Sequence, residues 1–600
     1  MSHLTKNVEV LRKRDPELAT RLEACHPGPE YMVESARNGE PTLKLRDTYL
    51  HSPYNPGKEA SDWARAVAAE RPGEEVTLLG LGLGHHLKAL AAENFSGAII
   101  EPDPAVARLA LEQLDLTGEL GRFSLYVGLE RETLHRRHRD LLLGRVIAHP
   151  ASVRTSPDYL GRIKAYADQL PLARRGALKI LVINPIYGGS LPVARYCASA
   201  LRALGHDVTT FDSDVFAPGM KFAEGFDFKE SQKSFRCEMT TFLAKGIYLR
   251  AREWRPDLVV ALAQAPLIPD LLRQLTAMDI PTAFWFVEDH KTLTYWRDMA
   301  ADYSYFFGIQ RGNFVQELSR LGLKNYGYLP MAAAPDIHRP LNLTAEERTE
   351  LGSPLSFVGA GYPNRQQFFC GLVDYPFKIW GSDWDFVPPQ LVGLIQRQSA
   401  RIDTETCVKI FNASSINLNL HSSTSADGVD PEGDFVNPRT FELAACQAFQ
   451  LVDRRLLLPD LFEDGELATF GDMDEAREKI DHYLRNDSER HALAGKGRAR
   501  VLAEHTYELR MEELLTLMLA AFPAIAERQR ERLRQRETVL GELDRHEGLQ
   551  ELLSGGREGQ WLRLNDIFTL IEQKNGRLSR AEKIFLMLKN VDVRWDEVPR

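Results

Sequence analysis

Three times this chain runs from an apolar stretch into a glycine turn and on into a helix. Residues 76–79 lead into Gly80, Gly82 and Gly84. Residues 180–183 lead into Tyr187-Gly188-Gly189-Ser190. Residues 354–358 lead into Gly359-Ala360-Gly361. Short apolar runs bounded by glycine and followed by helical periodicity read as buried parallel strands, and parallel neighbours need a crossover connection. That crossover is right-handed in nearly every case, so few topologies remain. An α/β architecture follows: two tandem Rossmann-like domains, an additional Rossmann-like domain ahead of them and a helical tail behind. A chain of 600 residues is too long for one core and suits that organisation.

The limits fall where strand patterns give way to charged or linker composition. Residues 1–70 read as a helical N-terminal segment. Residues 71–175 hold the first Rossmann-like domain and a linker, 178–340 the second domain and 350–504 the third. Residues 505–522 read as a crossover helix and 523–600 as a helical appendage. Over 524–548 arginines and acids are balanced, which predicts a solvated helix and a docking element rather than a nucleic-acid arm. The strand at 281–290 ends in Glu288, Asp289 and His290, and that at 414–421 ends in His421. Open α/β sheets place ligands at these carboxyl ends.

The candidate chemistry lies at the turns. In the first domain the glycines let backbone approach a ligand, and the next strand ends in Glu101, placed to accept from ribose hydroxyls. In the second, Gly188, Gly189 and Ser190 open a helix whose N–H groups suit a donor phosphate or an acceptor; a plain tight turn reads equally well. The third contains Asn437-Pro438-Arg439-Thr440-Phe441-Glu442. Pro438 presets a helix start. Arg439 and Glu442, three residues apart, share a helical face. Glu442 stands among small apolar residues, where a carboxylate needs a partner. Two readings stay open from these residues alone. One is a local Arg–Glu pair closing a helix start; the other is a helix N-terminus facing an anionic ligand.

Composition narrows the classes. Apolar residues make up 44% and charged residues 26%, as in an ordinary globular protein. A net charge of −10 argues against a general nucleic-acid binder. Cys25, Cys197, Cys237, Cys370, Cys407 and Cys446 are scattered without metal-ligand spacing, which points to a reducing compartment. The N-terminus lacks the apolar core of a signal peptide, and no stretch is long and apolar enough to span a bilayer. A cytoplasmic location is the expectation.

Two resemblances add to this reading. The segment 75–103 resembles the first motifs of S-adenosylmethionine methyltransferases, and more closely the amino-terminal domain of Maf-type flagellin glycosylation proteins. There a similar glycine segment precedes a strand ending in Glu-Pro, as in Glu101-Pro102. Residues 178–522 resemble the GT-B glycosyltransferases, specifically the spore maturation protein CgeB family of group 1 transferases. The resemblance is carried by Phe284-Trp285-Phe286-Val287-Glu288-Asp289, by Phe357-Val358-Gly359 with Arg365, and by Ile416-Asn417-Leu418-Asn419-Leu420-His421. Asn437–Glu442 and His505-Thr506-Tyr507 with Arg510 complete it.

The resemblance implies roles position by position. Glu442 would hold the donor's ribose, and Arg439 with the amides after Pro438 would face the diphosphate. Arg365 would add a second phosphate contact, and His421, Gly359 and Asn437 would complete the donor side. Gly188, Gly189 and Ser190 would contact donor or acceptor from the facing domain. Asp289 would be the acid near the transferred sugar, with Arg439 and Glu442 sharing the catalytic work. The donor is then a nucleotide-diphosphate sugar, with no essential cofactor and no essential metal. Retention of configuration is implied, and the Maf-like front end implies flagellin or another surface protein as a candidate acceptor. Two features sit less easily with the pattern. Gln447 stands where a glycine is expected, which such a turn tolerates only outside positive φ. Residues 422–434 form an acidic loop suited to a lid or a cation. The rivals are a methyltransferase or bifunctional protein using Gly80, Gly82, Gly84 and Glu101, and a non-catalytic scaffold recruiting partners through 523–600.

Overall fold

A computed structural model describes residues 2–423, 428–543, 564–574 and 576–589. Within the acidic loop, residues 424–427 lie outside the described residues. So do Asp544, Arg545 and Glu547 of the tail, together with Trp561 and Leu562. The chain divides into two compact units, Met1–Ala173 and Arg174–Arg600.

The first unit departs from expectation at its front. Residues 1–70 are not simply helical. They carry an antiparallel sheet of β1 (Tyr31–Ser35), β2 (Pro41–Leu45) and β3 (Thr48–Tyr49). Nor do they stand apart from 71–173. Val8, Leu11, Leu18 and Leu22 of the first two helices share one core with Val76, Leu78 and Ile99. Charged residues dominate the local sequence, but the few apolar ones at helical spacing are enough to dock both helices. The parallel sheet comprises β4 (Glu75–Leu79), β5 (Ser96–Glu101), β6 (Phe123–Val127) and β7 (Arg145–Ala148), in the order β6-β5-β4-β7.

The second unit contains two parallel sheets. One holds β8 (Lys179–Ile183), β9 (Asp207–Phe211), β10 (Leu258–Leu262), β11 (Thr282–Phe286), β12 (Tyr305–Gly308) and β13 (Tyr326–Tyr328), ordered β13-β12-β11-β10-β8-β9. The other holds β14 (Leu355–Val358), β15 (Phe377–Trp380), β16 (Ile416–Asn419), β17 (Gln450–Asp453) and β18 (Ala468–Phe470), ordered β15-β14-β16-β17-β18. Strands buried on both faces read as continuous apolar runs, as in Leu258–Leu262 and Thr282–Phe286, every residue of which is buried. In each sheet the order reverses beside the first strand, the place where such sheets open a crevice.

The chain crosses twice between the two sheets. Residues 329–340 lead from the first to the second. After the second sheet, Thr506 caps the helix Tyr507–Ala521, which returns to pack on the helix Ser190–Ala203 of the first. The crossings touch: Ala333 N–H donates to His505 O (2.9 Å) and Tyr507 N–H to Ala333 O (3.0 Å). Arg510, fully buried, donates through Nε to Pro330 O.

The start of the tail is more than a solvated appendage. The helix Pro523–Leu543 lies against the first sheet. Arg528 and Arg532 both pair with the buried Asp257 just before β10, and Gln529 donates to Gly176 O (2.6 Å). Balanced charge along the sequence hides this one-sided use of two arginines. Further on, Leu564–Gln573 and Arg580–Lys589 pack on each other through Ile567, Ile571 and Phe585.

Candidate active site

The helix Pro438–Ala445 owes its position to a lattice of buried amides beneath it. Asn437 caps it, accepting from Thr440 N–H through Oδ1 (3.0 Å). Asn437 Nδ2 donates to Asn419 Oδ1 (2.9 Å). Asn419 in turn donates to Thr440 Oγ1 and Gln450 Oε1. The backbone N–H of Asn437 donates to His421 Nε2 (2.9 Å), and His421 Nδ1 meets Asp453 Oδ1 at 2.6 Å. Since Nε2 accepts, the ring proton sits on Nδ1 and is given to Asp453. Burial lowers the His421 pKa despite the neighbouring Asp453, so the ring stays neutral. His421 is therefore engaged under the helix cap and is not among the residues that line the cavity. A strand-end histidine facing an aspartate on the neighbouring strand is satisfied before any ligand arrives.

From this platform Arg439 and Glu442 face a cavity of about 590 Å³ between the two sheets of the second unit. Arg439 Nη1 donates to Glu442 Oε2 at 2.6 Å, and the guanidinium lies over the Phe411 ring at 4.7 Å. Burial works against the Arg439 charge, but Glu442 outweighs it and holds its pKa above the ordinary value. The pair closes on itself, as the local reading has it, and it also lines a cavity.

Arg365 also lines it, at the start of the helix Pro363–Phe369. Its Nε donates to Leu420 O and its Nη1 to Ala360 O, both at 2.9 Å. Burial draws its pKa down to about 10, which leaves it charged near neutrality. Arg401 completes the basic set and donates to Gly188 O across the cleft (2.8 Å). All three lining arginines come from the second sheet's side. Gly359 lies between them, its carbonyl accepting from Trp384 Nε1.

The facing wall comes from the first sheet. Gly188 has φ +96°, and nothing lies within 4 Å of where a Cβ on Gly189 would stand. Ser190 Oγ donates to Glu288 Oε1 (2.9 Å). Glu288 is largely buried, and burial with the nearby Asp289 raises its pKa. Asp289 lines the cavity too, but its carboxylate accepts from Lys291 N–H and Thr292 Oγ1, capping its own turn. Sequence reasoning chose Asp289 and passed over Glu288 beside it. The two differ in whether the next turn has a use for the carboxylate, which only the backbone path decides. Tyr196 and His338 were missed as well. Tyr196 lines the cavity with its pKa pushed to about 12, chiefly by burial. His338 Nε2 lies 3.9 Å from Glu442 Oε1.

Gln447 corrects another expectation. It was taken to require negative φ, yet it sits at φ +53°. The turn is a helix stop, with Ala448 N–H donating to Leu443 O and Gln447 N–H to Ala444 O. Those carbonyls are satisfied whichever residue stands there, so the turn forms at a steric cost.

The glycine turn of the first unit is built differently. Gly80, Gly82 and Gly84 all have positive φ, but a Cβ on each would strike Ser152, His51 or Leu116. Glu101 Oε2 accepts from Leu81 N–H (2.8 Å) and Oε1 from Asp103 N–H, and the carboxyl is buried. Protein side chains thus crowd the glycine turn, and Glu101 is taken up by backbone amides.

Residues 365–516 match a family described as Glycosyl transferase-like. The chain is 25% identical over 287 residues to the spore protein CgeB of Bacillus subtilis (strain 168), covering 45% of this chain and 86% of that protein. Among solved structures it resembles a sucrose-phosphate synthase from Thermosynechococcus elongatus. That likeness has 13% identity, 60% of this chain, 99% of that one and a TM-score of 0.40. It also resembles Anabaena HepE in complex with UDP and glucose, with 9% identity, 57% and 99% coverage and a TM-score of 0.41. At those scores the fold assignment rests on the two sheets themselves, their switch points facing one cavity and the returning helix. With the matched family lying over the Arg365, Arg439 and Glu442 side of that cavity, the second unit carries a glycosyl transferase-like domain on a GT-B arrangement of two sheets, and the chain is similar to CgeB.

Proposed function

We propose that the enzyme transfers a sugar from a nucleotide-diphosphate donor, held by the second sheet, to an acceptor held by the first. The observation that carries this is the placement of every lining arginine on one wall, around the capped start of the helix Pro438–Ala445. A diphosphate gains charge as the sugar leaves, and fixed guanidinium and amide donors stabilise that charge without reorganising. Arg439 and Arg365 take the phosphates, with Arg401 at the rim. Glu442, aligned by Arg439, accepts from the donor's sugar hydroxyls. Glu288 and Asp289 face the bond being broken from the acceptor wall. Retention of configuration is the outcome we assign, from the resemblance to group 1 transferases. A protein acceptor is the favoured class, given the Maf-like features of residues 75–103.

A thermal-shift and calorimetric screen of UDP, GDP, dTDP and CMP derivatives tests the reading. One of them should bind to wild type and lose at least tenfold in affinity in Arg439→Ala. Equal binding of all four to wild type and variant would overturn it.

A further inference from the structure

The first unit's glycine turn closes over a group of histidines. His51, His86 and His149 come from three segments: the loop after β3, the helix His85–Ala92 and the loop after β7. Each is buried, with at most 2% of its surface exposed. One ring nitrogen from each lies within 4.8 Å of the other two. The rings are close, with centroids 4.2 Å apart for His86 and His149 and 5.0 Å for His51 and His149.

Their hydrogen bonding is incomplete. Leu83 N–H donates to His51 Nε2 (2.7 Å), but His51 Nδ1 has no partner. His86 Nδ1 has none either. Buried polar atoms left unpaired cost on the order of 1–3 kcal/mol each, and two in one cluster call for a shared partner. His149 Nδ1 is held by Ser152 Oγ (2.7 Å), the kind of contact that orients a ligating imidazole. His85, by contrast, is satisfied by Pro41 O (2.8 Å).

We propose that His51, His86 and His149 form a binding site for a divalent transition-metal ion of the zinc class. Three imidazoles are a common donor set for zinc, with the fourth position left to water. Zinc–nitrogen bonds of about 2.0–2.1 Å place ligand nitrogens roughly 3.3 Å apart. The ring nitrogens now lie within 4.8 Å of one another, so they close by up to about 1.5 Å to reach that spacing. At His51 the ion takes the Nδ1 lone pair, the ring proton moves to Nε2, and the Leu83 contact gives way. The glycines serve this arrangement: a Cβ on Gly82 would sit 2.5 Å from His51 Nε2. Ligands 35 and 63 residues apart form no recognisable spacing, so the site is invisible in sequence.

Full-length protein stripped with a chelator, its fold checked by circular dichroism, is titrated with Zn²⁺ and with Co²⁺. Wild type should retain one equivalent of zinc through gel filtration, show visible ligand-field bands with cobalt, and melt higher with metal bound. Affinity should fall at least tenfold in His51→Gln, His86→Gln and His149→Gln, and remain in His85→Gln. A wild type that retains no zinc and gives no cobalt bands overturns the site, whatever the variants do. Binding undiminished in all three variants also overturns it, since it marks adventitious surface histidines.

Discussion

A Cβ at Gly80 would lie 2.3 Å from Ser152 Cβ, and one at Gly82 would lie 2.5 Å from His51 Nε2. In the second unit a Cβ at Gly188 would lie 2.4 Å from Gln264 Oε1, but one at Gly189 would meet nothing within 4 Å. Both turns follow the first strand of a parallel sheet and begin a helix. In sequence they announce the same need, close approach to the backbone. In the first unit protein side chains make that approach at all three glycines; in the second Gln264 does so at Gly188, while Gly189 opens on the cavity. A glycine turn therefore records that something comes close, and the residues packed above it decide what.

The contrast can be broken by experiment. The largest effect is expected from Gly80→Ala. It combines a Cβ clash with φ +86°, and overpacking with left-handed strain costs about 4 kcal/mol in all. Chemical denaturation of the first unit should show that loss, while nucleotide affinity stays unchanged. A fall in nucleotide affinity would make the first turn a ligand loop after all.

Next comes Glu101. Burial, its main cause, raises this carboxyl's pKa from 4.5 to about 7. Between those values the folded state binds a proton more readily than the unfolded chain. Its stability contribution is greatest at or below pH 4.5 and is lost as pH rises to 7. Across that window wild type should weaken by about 3 kcal/mol relative to Glu101→Gln, read from denaturation midpoints at several pH values. A pH-independent difference would mean that Glu101 is solvated, as a ligand-binding carboxylate would be.

On the open side, Arg439→Ala and Glu442→Ala should each lower turnover at least tenfold, about 1.4 kcal/mol of barrier. Sugar-transfer kinetics check this, and unchanged activity in both removes the site assignment. The smallest effect is at Gln447. Replacing it by glycine relieves its left-handed backbone and should stabilise the second unit by about 0.5–1 kcal/mol, seen as a modest rise in Tm.

Much of the second unit was legible. Its strands are buried on both faces, so apolar runs between glycine turns marked them well. The Asn437–Glu442 start announced itself through Pro438 and the three-residue spacing of Arg439 and Glu442. The rest failed for physical reasons. The antiparallel strands of residues 31–49 are short, and the first is largely exposed, so they leave little pattern. His421 was misplaced because its partner, Asp453, lies 32 residues on, at the end of the next strand. Glu288 and Asp289 could not be ranked, because the turn that claims one of them is a property of the backbone. Asp257, which anchors the tail helix, draws its two arginines from some 270 residues away.

The two chain crossings at Ala333 and at His505–Tyr507 carry a mechanical consequence. Two crossings bonded to each other act as one joint, so any opening of the cleft's jaws pivots where Ala333 meets His505 and Tyr507. A chain cut anywhere between the crossings would leave the first jaw without the helix that closes its surface.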